Sequence, residues 1–217
     1  MLSNAGFLLV GVIGLVTLAR DRERLFATTS DARPYLVFFI GVALVALGSG
    51  YYHWGPTNAS LLWDRLPMSL SFMAISAAVV ADRIDARAGN GWLLVVLLLL
   101  GLASLAYWDW TEAQGRGDLR FYGLVQFYPM LALPLVIWLF PEHRYTNGRF
   151  IGWVIAWYAL SKVLEHFDDA IFELTTGIVS GHSLKHLAAA VATWVVLRML
   201  LAMAGAHSPA SRPQSAG

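Results

Sequence analysis

Seven apolar runs, each close to the length of a bilayer crossing, take up almost the whole chain. They lie near residues 3–19, 35–54, 62–82, 91–108, 121–140, 149–168 and 182–204. A helix rises about 1.5 Å per residue, so about 20 apolar residues carry it across the hydrocarbon core. Inside lipid the backbone must satisfy its own hydrogen bonds, which makes such runs helical. The breaks between them are polar or hold Gly and Pro: Arg20 to Arg33, Gly55-Pro56-Thr57-Asn58, Asp82 to Asn90, Asp109 to Arg120, Pro141 to Gly148, and Asp169 to Gly181. Only 13% of the 217 residues are charged, against roughly 25% in a soluble domain.

The expected fold is therefore all-α: a polytopic membrane protein with a seven-transmembrane-helix bundle over residues 1–204. The Ser-, Pro- and Ala-rich remainder, 205–217, is expected to be disordered. Trp54, Trp92, Trp108, Trp110 and Tyr145 gather near run ends, as an interfacial belt does. The first run has no basic residue ahead of it and no small-residue cleavage site, so it reads as a retained helix rather than a secretory signal. A net charge of +1 argues against a nucleic-acid partner. The absence of cysteine removes disulfides, thiolate zinc sites and a cysteine nucleophile. No internal repeat is visible, which weakens an inverted-repeat transporter reading.

Charge sets the direction. Seven crossings place the termini on opposite sides. Loops facing away from the N-terminus hold Arg20, Arg22, Arg24, Arg33, Arg83, Arg87, Arg144 and Arg149, with Arg212 in the tail; the other loops hold Arg116 and Arg120. Nine arginines against two put that face in the cytoplasm and the N-terminus outside. The second run then ends outside with Ser49 and His53, the third begins there with Asp64, and the seventh begins there with His182 and His186. The end of the sixth adds Glu165, His166, Asp168 and Asp169 at the same level.

Ionisable groups are costly within membrane helices and mark function by default. Residues four apart lie one above the other on a helix, so His182 and His186 project from one side, and His53 supplies a third imidazole from another helix. Three imidazoles with one position left for water make the open tetrahedral site of catalytic zinc, which lowers the pKa of water to roughly 7. Asp64, eleven residues beyond His53 across a Gly-Pro turn, suits a carboxylate that moves the water's proton to a leaving group. Ser49, one turn deeper than His53, suits a donor to an oxyanion.

Plainer readings exist for each residue. Ser49 sits in a Gly-Ser-Gly step that permits close helix packing. Asp64 suits a pair with Arg65, and Pro67 a first-turn position. Glu165, Asp168, Asp169 and Lys185 fit either an orienting carboxylate for a histidine or an ordinary ion pair, and His166 fits a spare ligand. His143 and His207 fall on the opposite side and read as solvated. Rival functions are a receptor-like bundle that zinc only braces, a bis-histidine haem carrier, and a transporter, the last lacking charged residues deep in the bundle.

Taken together, GSGYYH (Ser49, His53), WDRLPM (Asp64) and GHSLKH (His182, His186) resemble the signature of the CREST superfamily, the seven-helix hydrolases that include alkaline ceramidases and the progestin and adipoQ receptors. The wording is most similar to the alkaline ceramidase branch. The resemblance implies zinc held by His53, His182, His186 and water, with Asp64 near that water and Ser49 assisting the oxyanion. It implies hydrolysis of the amide bond of a ceramide-like lipid to a fatty acid and a sphingoid base, or of another amide or ester lipid. The eukaryotic enzymes carry an acidic calcium-binding segment ahead of the first helix, which this chain does not match. The substrate is expected to enter sideways from the bilayer, with Phe121, Tyr122, Phe127 and Tyr128 as candidate lining for its chain or, on the plainer reading, as packing and lipid-facing residues.

Overall fold

The structure is a computed structural model that describes residues 2–206. Among the described residues it is helical throughout, with no strand. Its helices are α1 (Ala5–Leu25), α2 (Arg33–Trp54), α3 (Asn58–Arg83), α4 (Ala86–Gly89), α5 (Trp92–Glu112), α6 (Arg120–Leu139), α7 (Gly148–His166), α8 (Asp168–Leu174) and α9 (Gly181–Ala206). All seven apolar runs became long helices. The short α4 and α8 fall in breaks whose polar sequence gave no helical expectation. Helix α9 continues to Ala206; the rest of the tail expected to be disordered, and His207, lie outside the described residues.

Five segments are long and apolar enough to cross a membrane: Thr29–Trp54, Asn58–Arg83, Trp92–Glu112, Arg120–Leu139 and Gly181–Ala204. They mark a membrane protein. Helix α1 runs five residues into the charged stretch Arg20–Arg24 and turns out of helical geometry at Asp21. Helix α7 spreads Lys162, Glu165 and several polar aromatics along 19 residues. The outer surface is apolar, with Leu9, Leu47, Leu99, Leu131 and Trp153 all more than half exposed. A belt of that kind needs lipid against it.

Helix α3 occupies the centre, packed on α2, α5 and α6, while α9 packs on α7 and α1. Phe39, Ala74, Ala77, Val79, Ile151, Val196 and Met199 fill the core between them. Helices α2 and α3 approach closely because a side chain at Gly48 would collide with the Trp63 carbonyl, and one at Gly41 with the Ser71 hydroxyl. Pro67 helps. The sequence suggested a first-turn position for it, but the Thr57–Ser60 capping box starts α3 at Asn58, so Pro67 lies inside the helix. Having no N–H, it leaves the carbonyl four residues back without its helical donor, and that carbonyl is Trp63's.

At the arginine-rich end the loop joining α6 to α7 is tied to the end of α3. The Arg83 guanidinium donates to Thr146 Oγ1 (3.0 Å), to the Phe140 and Pro141 carbonyls (2.7 and 3.2 Å) and to the Thr146 carbonyl. Asp82 accepts from the backbone N–H groups of Arg144, Tyr145 and Thr146 and from the Thr146 hydroxyl. Tyr145 donates to Asp31 Oδ2 (3.0 Å), and Asn90 donates to Asp31 Oδ1 (2.7 Å).

Candidate metal centre

The opposite end gathers its polar groups from three separate helix ends. His53 closes α2. A Gly-Pro-Thr turn follows, held by Ser60, whose hydroxyl donates to the Gly55 carbonyl (2.7 Å) and accepts from the Thr57 N–H (2.9 Å). That turn sends α3 back alongside α2 with Asp64 in its second turn. Helix α9 begins beside α7, where Gly181 has no room for a Cβ against the Leu164 carbonyl and Asp168. Its first turn is held by the Ser180 hydroxyl, which accepts from Ser183 N–H (3.1 Å), and by Asp168 Oδ1, which accepts from His182 N–H (2.7 Å).

These constraints bring three imidazoles together. One ring nitrogen from each of His53, His182 and His186 lies within 4.8 Å of the others. The Nε2 atoms of His53 and His182 are 3.0 Å apart, close to the about 3.4 Å that two ligands of one tetrahedral zinc would show. Ring centroids are 4.7 Å (His53–His182), 5.6 Å (His53–His186) and 4.9 Å (His182–His186). Rings this close leave no slot for a porphyrin between any two of them, so the geometry suits one small ion rather than haem. His186 Nε2 is buried without a hydrogen-bond partner. An orphaned buried polar atom costs about 1–3 kcal/mol, and a cation shared with His53 and His182 would satisfy it. The three histidines could thus hold one metal ion, imidazole nitrogen being a common ligand of divalent transition metals.

Asp64 stands next to this cluster. Its carboxylate lies within electrostatic reach of His53 and Lys185, and the Ser49 hydroxyl faces it. Ser49 is 1% exposed, and its Oγ makes no hydrogen bond of normal geometry. Arg65 does not pair with Asp64; its guanidinium lies over the Tyr122 ring at 4.8 Å and the Trp108 ring at 5.6 Å. All five residues singled out from the sequence are therefore in one place.

A cavity of about 200 Å³ opens from this cluster into the bundle. Asp64, Lys185 and His186 form part of its polar end, while Phe38, Val42, Val45, Phe72, Ile75 and Leu133 line its apolar wall. Of the four aromatics proposed for a chain pocket only Tyr122 lines it. Phe127 and Tyr128 are about half exposed on the outer face, and Phe121 packs on Tyr107. The cavity side of α6 is instead Tyr122, Gln126, Met130 and Leu133, the i, i+4 stripe that Tyr122 and Gln126 mark in the sequence.

The remaining candidates separate. Asp168 orients His182 through the main chain rather than through an imidazole nitrogen. His166 is exposed, its ring edge-on to Phe167, and stands outside the three-histidine group. His143 is exposed at the far end, as expected. Lys185 pairs with Glu165, and Lys162 joins the same carboxylate at 2.8 Å. Lys162 was overlooked in the sequence, although its i, i+3 spacing to Glu165 was there to read.

No family model matches this chain, and no curated protein matches it.

Proposed function

We propose that this chain is a membrane-embedded, zinc-dependent hydrolase of the CREST type that cleaves the amide bond of a ceramide-like lipid, giving a fatty acid and a sphingoid base. The observation that carries the reading is the convergence of three imidazoles within 4.8 Å, one of which, His186, lines the polar end of an apolar cavity. Counting α1 and α7 as crossings gives seven. The arginine-rich end then faces the cytoplasm, and the N-terminus and histidine cluster lie on the other side. The substrate enters from the bilayer, its chain along the apolar wall and its carbonyl at the histidines.

His53, His182 and His186 would hold the ion, which supplies Lewis acidity and a reactive water at neutral pH. Asp64 takes a proton from the attacking water and delivers it to the leaving nitrogen as the C–N bond breaks. Ser49 donates its hydroxyl hydrogen to the carbonyl oxygen while charge builds there. Both roles rest on Asp64 and Ser49 facing one another beside His53. Another amide or an ester would be cleaved by the same three actions.

Purified protein is expected to contain one zinc per chain and to release fatty acid from an acylated long-chain amine. His182→Ala should lose the metal and the activity together. A His182→Ala protein that keeps a full equivalent of zinc would refute the ligand set. Zinc-loaded wild type that cleaves no acylated amine or ester would favour a bundle that the ion merely braces.

A further inference from the structure

The cavity wall beside the histidines carries more positive than negative charge. Lys185 Nζ donates to Glu165 Oε1, and Lys162 Nζ donates to Oε2 of the same carboxylate. One acid thus serves two ammonium groups, where a structural ion pair requires one of each. Arg65 adds a third cation to the lining, and Asp64 is the remaining acid, within electrostatic reach of Lys185, His53 and Arg65 and facing Ser49. Three cations against two acids line the cavity before any divalent ion is counted. Each ammonium has three N–H donors and spends one on Glu165. The lysines are held in place, too: Lys162 Nζ lies 5.7 Å from the centre of the Tyr158 ring, and the Tyr158 hydroxyl accepts from Gln126 Nε2 at 2.6 Å.

An excess cation in a partly buried, largely apolar cavity is costly unless an anion arrives to meet it. We infer that the polar end of this cavity binds an anionic group, so that the substrate is a single-chain acyl lipid bearing a carboxylate or phosphate within a few bonds of the scissile carbonyl. The charge sits between Lys162 and Lys185, level with His186, while the chain follows the apolar wall. This rests on the hydrolase reading and takes the other branch of its substrate, an acidic acyl amide or ester in place of a neutral ceramide.

The test uses the full chain in phosphatidylcholine nanodiscs and three oleoyl probes: N-oleoylglycine for carboxylate, oleoyl lysophosphatidate for phosphate, and N-oleoylethanolamine as the neutral control. Affinities are measured by calorimetry with zinc present and after chelation, so that binding is read separately from turnover. At least one acidic probe should bind about tenfold tighter than the neutral one, and chelated protein should keep that preference, because the lysines supply it. Whichever acidic probe leads identifies the headgroup. Combining Lys162→Gln with Lys185→Gln should bring the affinity ratio below threefold, and Lys162→Arg should preserve it. Glu165→Gln, which frees both lysines, should raise the ratio. Equal affinities in wild type, a ratio that survives in a folded double variant, or a ratio unmoved or lowered in Glu165→Gln would each overturn the inference. Cleavage of neutral amides without charge preference would overturn it and leave the hydrolase reading intact. Charge preference without turnover of any probe would do the reverse.

Discussion

The two ends of this bundle treat buried polar groups in opposite ways. At the arginine-rich end Asp82 accepts four hydrogen bonds and Arg83 donates four, all to one loop. At the histidine end His186 Nε2 is buried with no hydrogen-bond partner, Ser49 Oγ faces Asp64 without a hydrogen bond of normal geometry, and the ring nitrogens of His53 and His182 face one another. Two neutral atoms at the arginine-rich end also lack partners, Tyr35 Oη and Asn90 Oδ1, but both residues border a cavity of about 170 Å³, room enough for water. Similar side-chain chemistry is spent on joining helices at one end and left available to a ligand at the other.

That contrast can be broken by substitution, because the two ends should fail in different observables. Asp64→Asn keeps the shape of the site and the three histidines, so zinc should stay while turnover falls about 10³-fold. Undiminished hydrolysis by that variant would remove Asp64 from the proton path. Arg83→Ala should act on folding instead, costing about 3 kcal/mol because it strands buried carbonyls and the Asp82 pocket. Thermal unfolding in detergent measures this, with zinc per folded chain unchanged; a metal loss as large as that of His182→Ala would erase the distinction between the ends. The smallest effect is assigned to Ser49→Ala, about 10²-fold in kcat with zinc and melting temperature preserved. A rise in KM alone would place Ser49 in substrate binding.

Much of this was legible in the residues themselves. Run lengths placed the seven long helices because lipid leaves the backbone so few choices. His182 and His186 were readable as a pair from their four-residue step, and loop arginines were enough to bring them level with His53 and Asp64. What stayed hidden depended on contacts between distant segments. Hydropathy starts α3 near 62, but the hydroxyls of Thr57 and Ser60 start it at Asn58, which moves Pro67 from the first turn into the interior. Which side of α6 faces inward depends on packing against α3, so Phe127 and Tyr128 looked as eligible as Tyr122. Asp168 was recognised as an acid near His182, yet only the α7–α9 junction shows that it grips the main chain.

The contact between Gly48 and the Trp63 carbonyl has a consequence for how this site can change. Ser49 and Asp64 each neighbour one of its partners, so the gap between hydroxyl and carboxylate is set by how near two backbones come rather than by rotamer choice. A single methyl at position 48 would work as a spacer, driving the helices apart and uncoupling the pair while every reactive group remained in the sequence.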